Sequence, residues 1–322
     1  MRGALDYTCR MPDIRSLPIG VFDSGLGGLT VVRELARALP DERIVYLGDT
    51  ARCPYGPRDT AEVRQFVLEI GAWLAERPVK LIVIACNTAT AAGLALAQQA
   101  FDVPVVGVVE PGARAAVMAT QNRRVGVIGT IGTIRSGAYS AAVRALDAGV
   151  TVFSVATPAF VDLVEAGLHM DDGPFEHWLS TTADVFIRPS FYELARDYLD
   201  PLKRERIDTL VLGCTHFPLL SAAIQQVVGP TVKLISSAEE TAREVAEMLA
   251  ARGQRMGAPA LGPRYEFVTT GDAAEFARQG SRVLGFEMAD VRGIGVRDLA
   301  ELVTPELRSD FARFMEEEAS CA

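Results

Sequence analysis

Two stretches constrain this chain more than any others: LIVIACNTAT at residues 81–90 and LVLGCTHFPLL at residues 210–220. Each is an apolar run ending in a cysteine, followed at once by Thr or Asn-Thr and then by a helical pattern. A continuous apolar run of this length beside a helix predicts a strand buried on both faces of a parallel sheet. The cysteine then falls at the carboxyl edge of that sheet, where open α/β folds bind their ligands. Cys86 and Cys214 thus occupy two copies of one local context. The amide N–H groups of a helix start beside each sulfur favour thiolate over thiol.

The rest of the chain repeats the same alternation. Apolar strand patterns at 18–22, 43–47, 80–85, 103–109, 124–129, 150–156, 208–213, 231–235 and 265–269 alternate with helical periodicity at 29–39, 60–76, 89–100, 138–146 and 238–251. Such alternation predicts an α/β chain: two similar domains of mainly parallel sheets flanked by helices, with the site in the cleft between them. Residues 18–111 and 237–303 are expected to form the first domain and 112–236 the second, the Glu110-Pro111-Gly112 breaker ending the fourth strand. Residues 1–17 read as an N-terminal extension, 167–206 as a partly helical segment without readable chemistry, and 304–322 as an acidic tail, a solvated helix or a frayed end.

Composition narrows the function. The net charge of −9 argues against a nucleic-acid binder. The only lysines are Lys80, Lys203 and Lys233, none placed for a Schiff base. Five cysteines without a CxxC pair, and three histidines, point to no metal site and no disulfide framework. No apolar run is long enough for a bilayer, and the first residues lack the apolar core of a signal peptide, so a cytoplasmic enzyme without a membrane partner is expected.

Several side chains stand at the same predicted edge. Asp23 ends the first strand and opens DSGLGG, a turn that lacks the third glycine of GxGxxG and any Walker lysine, so a tight strand-to-helix turn is the simpler reading than a nucleotide cradle. The loop ARCPYGPR offers Tyr55 and the Gly56 amide to a ligand, while Cys53 reads as filling space. Thr130 and Thr133 stand at a helix start, where they cap it or bind a carboxylate. Glu165, taken alone, is a surface carboxylate.

His216 beside Cys214 would suit a hydrolase or amidotransferase, with sulfur as nucleophile and imidazole as base, but Cys86 is then unexplained. Two sulfurs flanking one carbon, one a thiolate base and the other a thiol acid, instead remove a proton from one face and return another to the opposite face. The outcome is inversion at carbon. Asp23 and His216 are then the groups that set the protonation of Cys86 and Cys214.

The stretches GVFDSGLGGLTVVREL, YLGDTARCPYGPR, LIVIACNTATAA, RVGVIGTIGTIRSGAY, FVDLVEAG and LVLGCTHFPLL resemble those of the glutamate racemases, cofactor-independent enzymes of bacterial wall synthesis in the aspartate/glutamate racemase family. The resemblance runs over about residues 18–270. It implies Cys86 and Cys214 as the two acid/base residues, taking the proton from D- and L-glutamate respectively, with Asp23 supporting Cys86 and with Glu165 and His216 supporting Cys214. It also implies substrate contacts at Asp23, Ser24, Tyr55, Gly56, Asn87, Thr88, Thr130, Thr133, Thr215 and His216, no cofactor and no metal, and a homodimer. Thr157 and Asp162 stand where cysteine and proline are usual, Phe217 where tyrosine is common, and the 167–206 connection is longer than the family's. Alternatives are a racemase of another amino acid such as aspartate, or a protein that restrains DNA gyrase, a role the acidic balance does not support.

Overall fold

A computed structural model of the chain describes residues 13–170, 189–258 and 263–321. The N-terminal extension and the 167–206 segment therefore fall partly outside the described residues.

Among the described residues, ten strands form two sheets, and every pairing is parallel. The first holds β1 (Ile19–Asp23), β2 (Ile44–Gly48), β3 (Leu81–Ile84), β4 (Val105–Gly107), β9 (Tyr265–Thr269) and β10 (Arg292–Gly293), in the order β10-β9-β2-β1-β3-β4. The second holds β5 (Arg124–Gly129), β6 (Thr151–Ala156), β7 (Thr209–Gly213) and β8 (Lys233–Ser236), in the order β6-β5-β7-β8. β1, β2, β3 and β7 are buried along their whole length, as their unbroken apolar runs require once helices cover both faces.

Register decides which side chains meet. β1 lies beside β3, so Asp23 and Cys86 leave adjacent strand ends of the first sheet. In the second, Gly129 pairs with Gly213, so the next residues, Thr130 and Cys214, also leave side by side. The helix Ser237–Ala251 packs against both Leu29–Ala38 and Val109–Ala119 and ties the two halves together.

Three features differ from the sequence expectation. Glu110-Pro111-Gly112 does not break the chain but lies in the first turns of the helix Val109–Ala119. A proline there displaces no helical hydrogen bond, because the first amides of a helix have no partner within it. The helix Ala273–Leu284, which periodicity did not single out, covers the first sheet beside Leu29–Ala38. Finally, the acidic C-terminal segment is the helix Pro305–Cys321, which packs on Asn87–Ala100 with Leu307 and Phe311 against the apolar core of the first half.

Candidate active site

Cys86 is the N-cap of the helix Asn87–Ala100, and its Sγ accepts the Ala89 amide at 3.5 Å. Its thiol points to Ser24 Oγ at 3.8 Å. The helix start was expected to favour a thiolate, but burial and then the charge of Asp23 push the Cys86 thiol up to about 12, against the Ala89 and Ser24 contacts. A helix start contributes roughly 0.3–1 kcal/mol, less than one pKa unit, so burial wins. With its pKa so raised Cys86 is held as a thiol, the form a proton donor needs. Asp23 is fully buried, accepts the Gly25 amide at 2.9 Å and the Thr215 hydroxyl at 3.4 Å, and is itself raised by that burial.

Cys214 is finished differently. No α-helix starts at it: a 3-10 turn over Phe217–Leu220 comes first, and the Phe217 amide closes onto the Cys214 carbonyl. Its Sγ lies 3.7 Å from His216 Nδ1, and His216 Nε2 lies 3.4 Å from Glu165 Oε1 without the alignment of a good hydrogen bond, so that contact is mainly one of charge. Burial alone would lower the His216 pKa, but Cys214 and Glu165 outweigh it and push it up to about 10. A protonated imidazole is the counter-ion that a thiolate at Cys214 requires.

The two cysteines, from different sheets, line one narrow cleft together with Ser24, Cys53, Pro54, Tyr55, Gly56, Asn87, Thr88, Thr130, Val161, Thr215 and His216. The cleft is narrow, with a volume of about 20 Å³, room for about one water. Three threonines hold its rim: Thr88 Oγ1 lies 2.8 Å from Thr130 Oγ1 and 3.3 Å from Thr133 Oγ1. Asn87 Oδ1 accepts the Tyr139 hydroxyl at 2.7 Å, which leaves its buried Nδ2 unpaired as a donor. Tyr55 lines the cleft, but its hydroxyl is taken by Asp49, which also binds Arg52 at 2.6 Å and Thr270 at 2.7 Å.

Of the expected residues, Ser24, Tyr55, Gly56, Cys86, Asn87, Thr88, Thr130, Cys214, Thr215 and His216 line the cleft, whereas Asp23, fully buried, Thr133 and Glu165 stand behind it, one contact from Thr215, Thr88 and His216 respectively. Others were not read from the sequence. A Cβ at Gly27 would meet Thr215 Oγ1 at 2.3 Å and His216 Nδ1 at 2.7 Å, and one at Gly28 would meet Asp23 Cβ at 2.3 Å. Gly27 is thus the floor on which Thr215 and His216 sit and Gly28 the one under Asp23, and Thr30 clasps the first by donating to the Thr215 carbonyl at 2.9 Å. Cys53, beyond filling space, reaches Glu165 Oε1 at 3.7 Å. The paired glycines after a strand were the available signal, but only tertiary structure shows what they admit.

The family model described as Asp/Glu/Hydantoin racemase matches residues 19–245. A glutamate racemase from Bacillus cereus is 47% identical over 276 residues, spanning 86% of this chain and 96% of that protein. Among solved structures, the glutamate racemase isoform RacE1 from Bacillus anthracis aligns with a TM-score of 0.77 at 43% identity, covering 88% of this chain and 98% of the other. Glutamate racemase from Francisella tularensis, in complex with D-glutamate, aligns with a TM-score of 0.76 at 30% identity over 88% of this chain and 99% of its own. Among the described residues, no helix is long and apolar enough to cross a membrane.

Proposed function

The chain belongs to the Asp/Glu/hydantoin racemase family, and from that premise we infer that its cleft interconverts L- and D-glutamate without a cofactor, by proton transfer between two cysteines. The observation that carries this reading is that Cys86 and Cys214, delivered by separate sheets, line a single cleft. The D-glutamate formed serves peptidoglycan synthesis.

The family resemblance is the ground for the direction. Cys214, with protonated His216 as counter-ion, takes the α-proton of L-glutamate while the Cys86 thiol delivers one to the opposite face; D-glutamate is handled in reverse. Asp23 is the acceptor for the substrate ammonium. Asn87 Nδ2 and the hydroxyls of Ser24, Thr88, Thr130, Thr133 and Thr215 are the donors for its carboxylates, with the Tyr55-Gly56 backbone closing the pocket. Fixed donors in a cleft closed to water stabilise the charge that develops on the α-carboxylate as the proton leaves, and this offsets the low acidity of the α-carbon. The family resemblance is also the ground for expecting a homodimer and a cytoplasmic location, and for drawing domains at 18–111 with 237–303 and at 112–236.

Purified protein without added cofactor should racemise L-glutamate, followed by loss of optical rotation, in preference to L-aspartate. Cys86→Ala and Cys214→Ala should each lower the rate by roughly 10³-fold or more. Intact activity in either variant overturns the two-cysteine mechanism, and preference for aspartate overturns the substrate.

A further inference from the structure

Glu165 reaches His216 from the helix Pro158–Met170, which follows β6 of the second sheet. Val161, one turn earlier on that helix, lines the cleft. Where Glu165 stands therefore depends on how the helix is held. At its start the Thr157 amide donates to the Gly129 carbonyl at 2.9 Å, which ties it to the second sheet. Along its length Phe160, Val164 and Leu168 are sealed in the same apolar cluster as Phe276 and Val283 of the helix Ala273–Leu284. Apolar packing is non-directional, so it resists separation of two helices better than a slip of one along the other. A directional contact comes from Arg282, on Ala273–Leu284: its Nη1 donates to the carbonyls of Gly167 at 3.0 Å and Leu168 at 2.6 Å, two and three positions past Glu165. Arg282 is only 4% exposed, and hydrogen bonds from a buried cation to backbone carbonyls are strong enough to fix that turn both along its axis and around it. Its own helix is seated on Leu29–Ala38 and on β9 of the first sheet.

We propose that Arg282 is a positioning residue for the reaction: from a helix seated on the first sheet, it holds the turn that carries Glu165 in place against His216 of the second. This rests on the two-cysteine reading, which gives the His216 charge its catalytic use. Arg282 is not in the wall of the cleft and acts through Glu165. Among the described residues, the titratable groups around His216 are Cys214 on its own turn, Glu165 on Pro158–Met170 and Asp23 at the end of β1, while Cys53, Asp272 and Glu275 lie around Glu165. Two roles for the guanidinium predict opposite signs. Acting on His216 by its own positive charge, Arg282 would disfavour the protonated imidazole, and its removal would raise the His216 pKa. Acting by placing Glu165, it does the reverse: without it the carboxylate leaves the imidazole and the pKa falls.

The test is an NMR titration of the full chain labelled at histidine, with the His216 signal assigned by its loss in His216→Asn. Arg282→Met keeps the length of the side chain without its charge or donors, and should lower the His216 pKa by about one unit or more, the effect of moving an opposite charge out of close range. Arg282→Lys, which keeps a charge and a donor, should fall between Arg282→Met and the native protein, and it carries the test if Arg282→Met does not fold. Glu165→Gln should lower the pKa by itself, and adding Arg282→Met to it should lower it no further. Values of kcat should follow the same order, with the double variant no slower than Glu165→Gln. A His216 pKa that is unmoved or raised in the Arg282 variants, or a further fall in the double variant, overturns the proposal. The titration needs no turnover, so either result leaves the two-cysteine reading standing; that reading fails separately, if racemisation survives loss of a cysteine.

Discussion

At the end of β3, Cys86 caps a helix and receives the Ala89 amide, whereas at the end of β7 Cys214 runs into a 3-10 turn and its sulfur meets His216 instead. The two ends start from the same unit, an apolar parallel strand, a cysteine and a threonine within two residues, and are built into different acid/base groups by what packs on them. Around Cys86 the nearby charge is the carboxylate of Asp23, which with burial keeps the proton on sulfur. Around Cys214 an imidazole backed by a carboxylate supplies positive charge. A symmetric reaction coordinate is thus served by an asymmetric pair. The lesson is that a strand-end motif sets where a cysteine sits, and that its neighbours set which way its proton moves.

The sharpest way to break the asymmetry is to push His216 away without touching it. Gly27→Ala places a methyl group 2.3 Å from Thr215 Oγ1 and 2.7 Å from His216 Nδ1, and neither neighbour is the loose end of a long side chain. Displacing the imidazole from Cys214 should lower kcat by roughly 100-fold, as misplacement of about an ångström does elsewhere. Steady-state rates in both directions check this, and a variant with native rates would show that the glycine floor is not needed.

A milder probe removes the carboxylate behind the imidazole. The folded pKa of His216 is raised from its ordinary 6.5 to about 10, so its charge contributes stability that is fully present below pH 6.5 and is lost as pH rises towards 10. Melting curves across that window should show the native Tm falling by a few degrees, and Glu165→Gln should lose part of that pH dependence. A Glu165→Gln profile parallel to the native one would show that Glu165 does not hold the proton on His216. The smallest effect is expected at the rim that both halves share. Thr88→Val removes the hydroxyl bridging to Thr130 and Thr133, and should raise KM by up to about tenfold with kcat little changed, the worth of one hydrogen bond.

How much of this was legible in advance depended on the range of the interaction. The strands at 81–84 and 209–213 are written locally, since burial on both faces demands unbroken apolar residues. The cysteines, Asp23 and the threonines could be placed because each follows directly on such a strand. Pro111 misled because a proline is read as a breaker unless the helix start is known, and that start is fixed by packing of Val109, Ala113 and Ala116 on the second sheet. The thiol state of Cys86 was out of reach, since burial in the closed cleft is a tertiary quantity that outweighs the local helix start. Gly27, Thr30 and Cys53 act through partners far along the chain, at Thr215, His216 and Glu165, and no local pattern encodes that.

The claim beneath all of this is that two different sulfurs serve the two faces of one glutamate. Its most direct test is L-glutamate in D₂O, stopped at low conversion and analysed for α-deuterium in each enantiomer separately. Two bases predict that the D-glutamate formed is deuterated at the α-carbon while the unreacted L-glutamate still carries its hydrogen. Deuterium entering both enantiomers equally from the first turnovers would mean one base working on both faces, and would contradict the account.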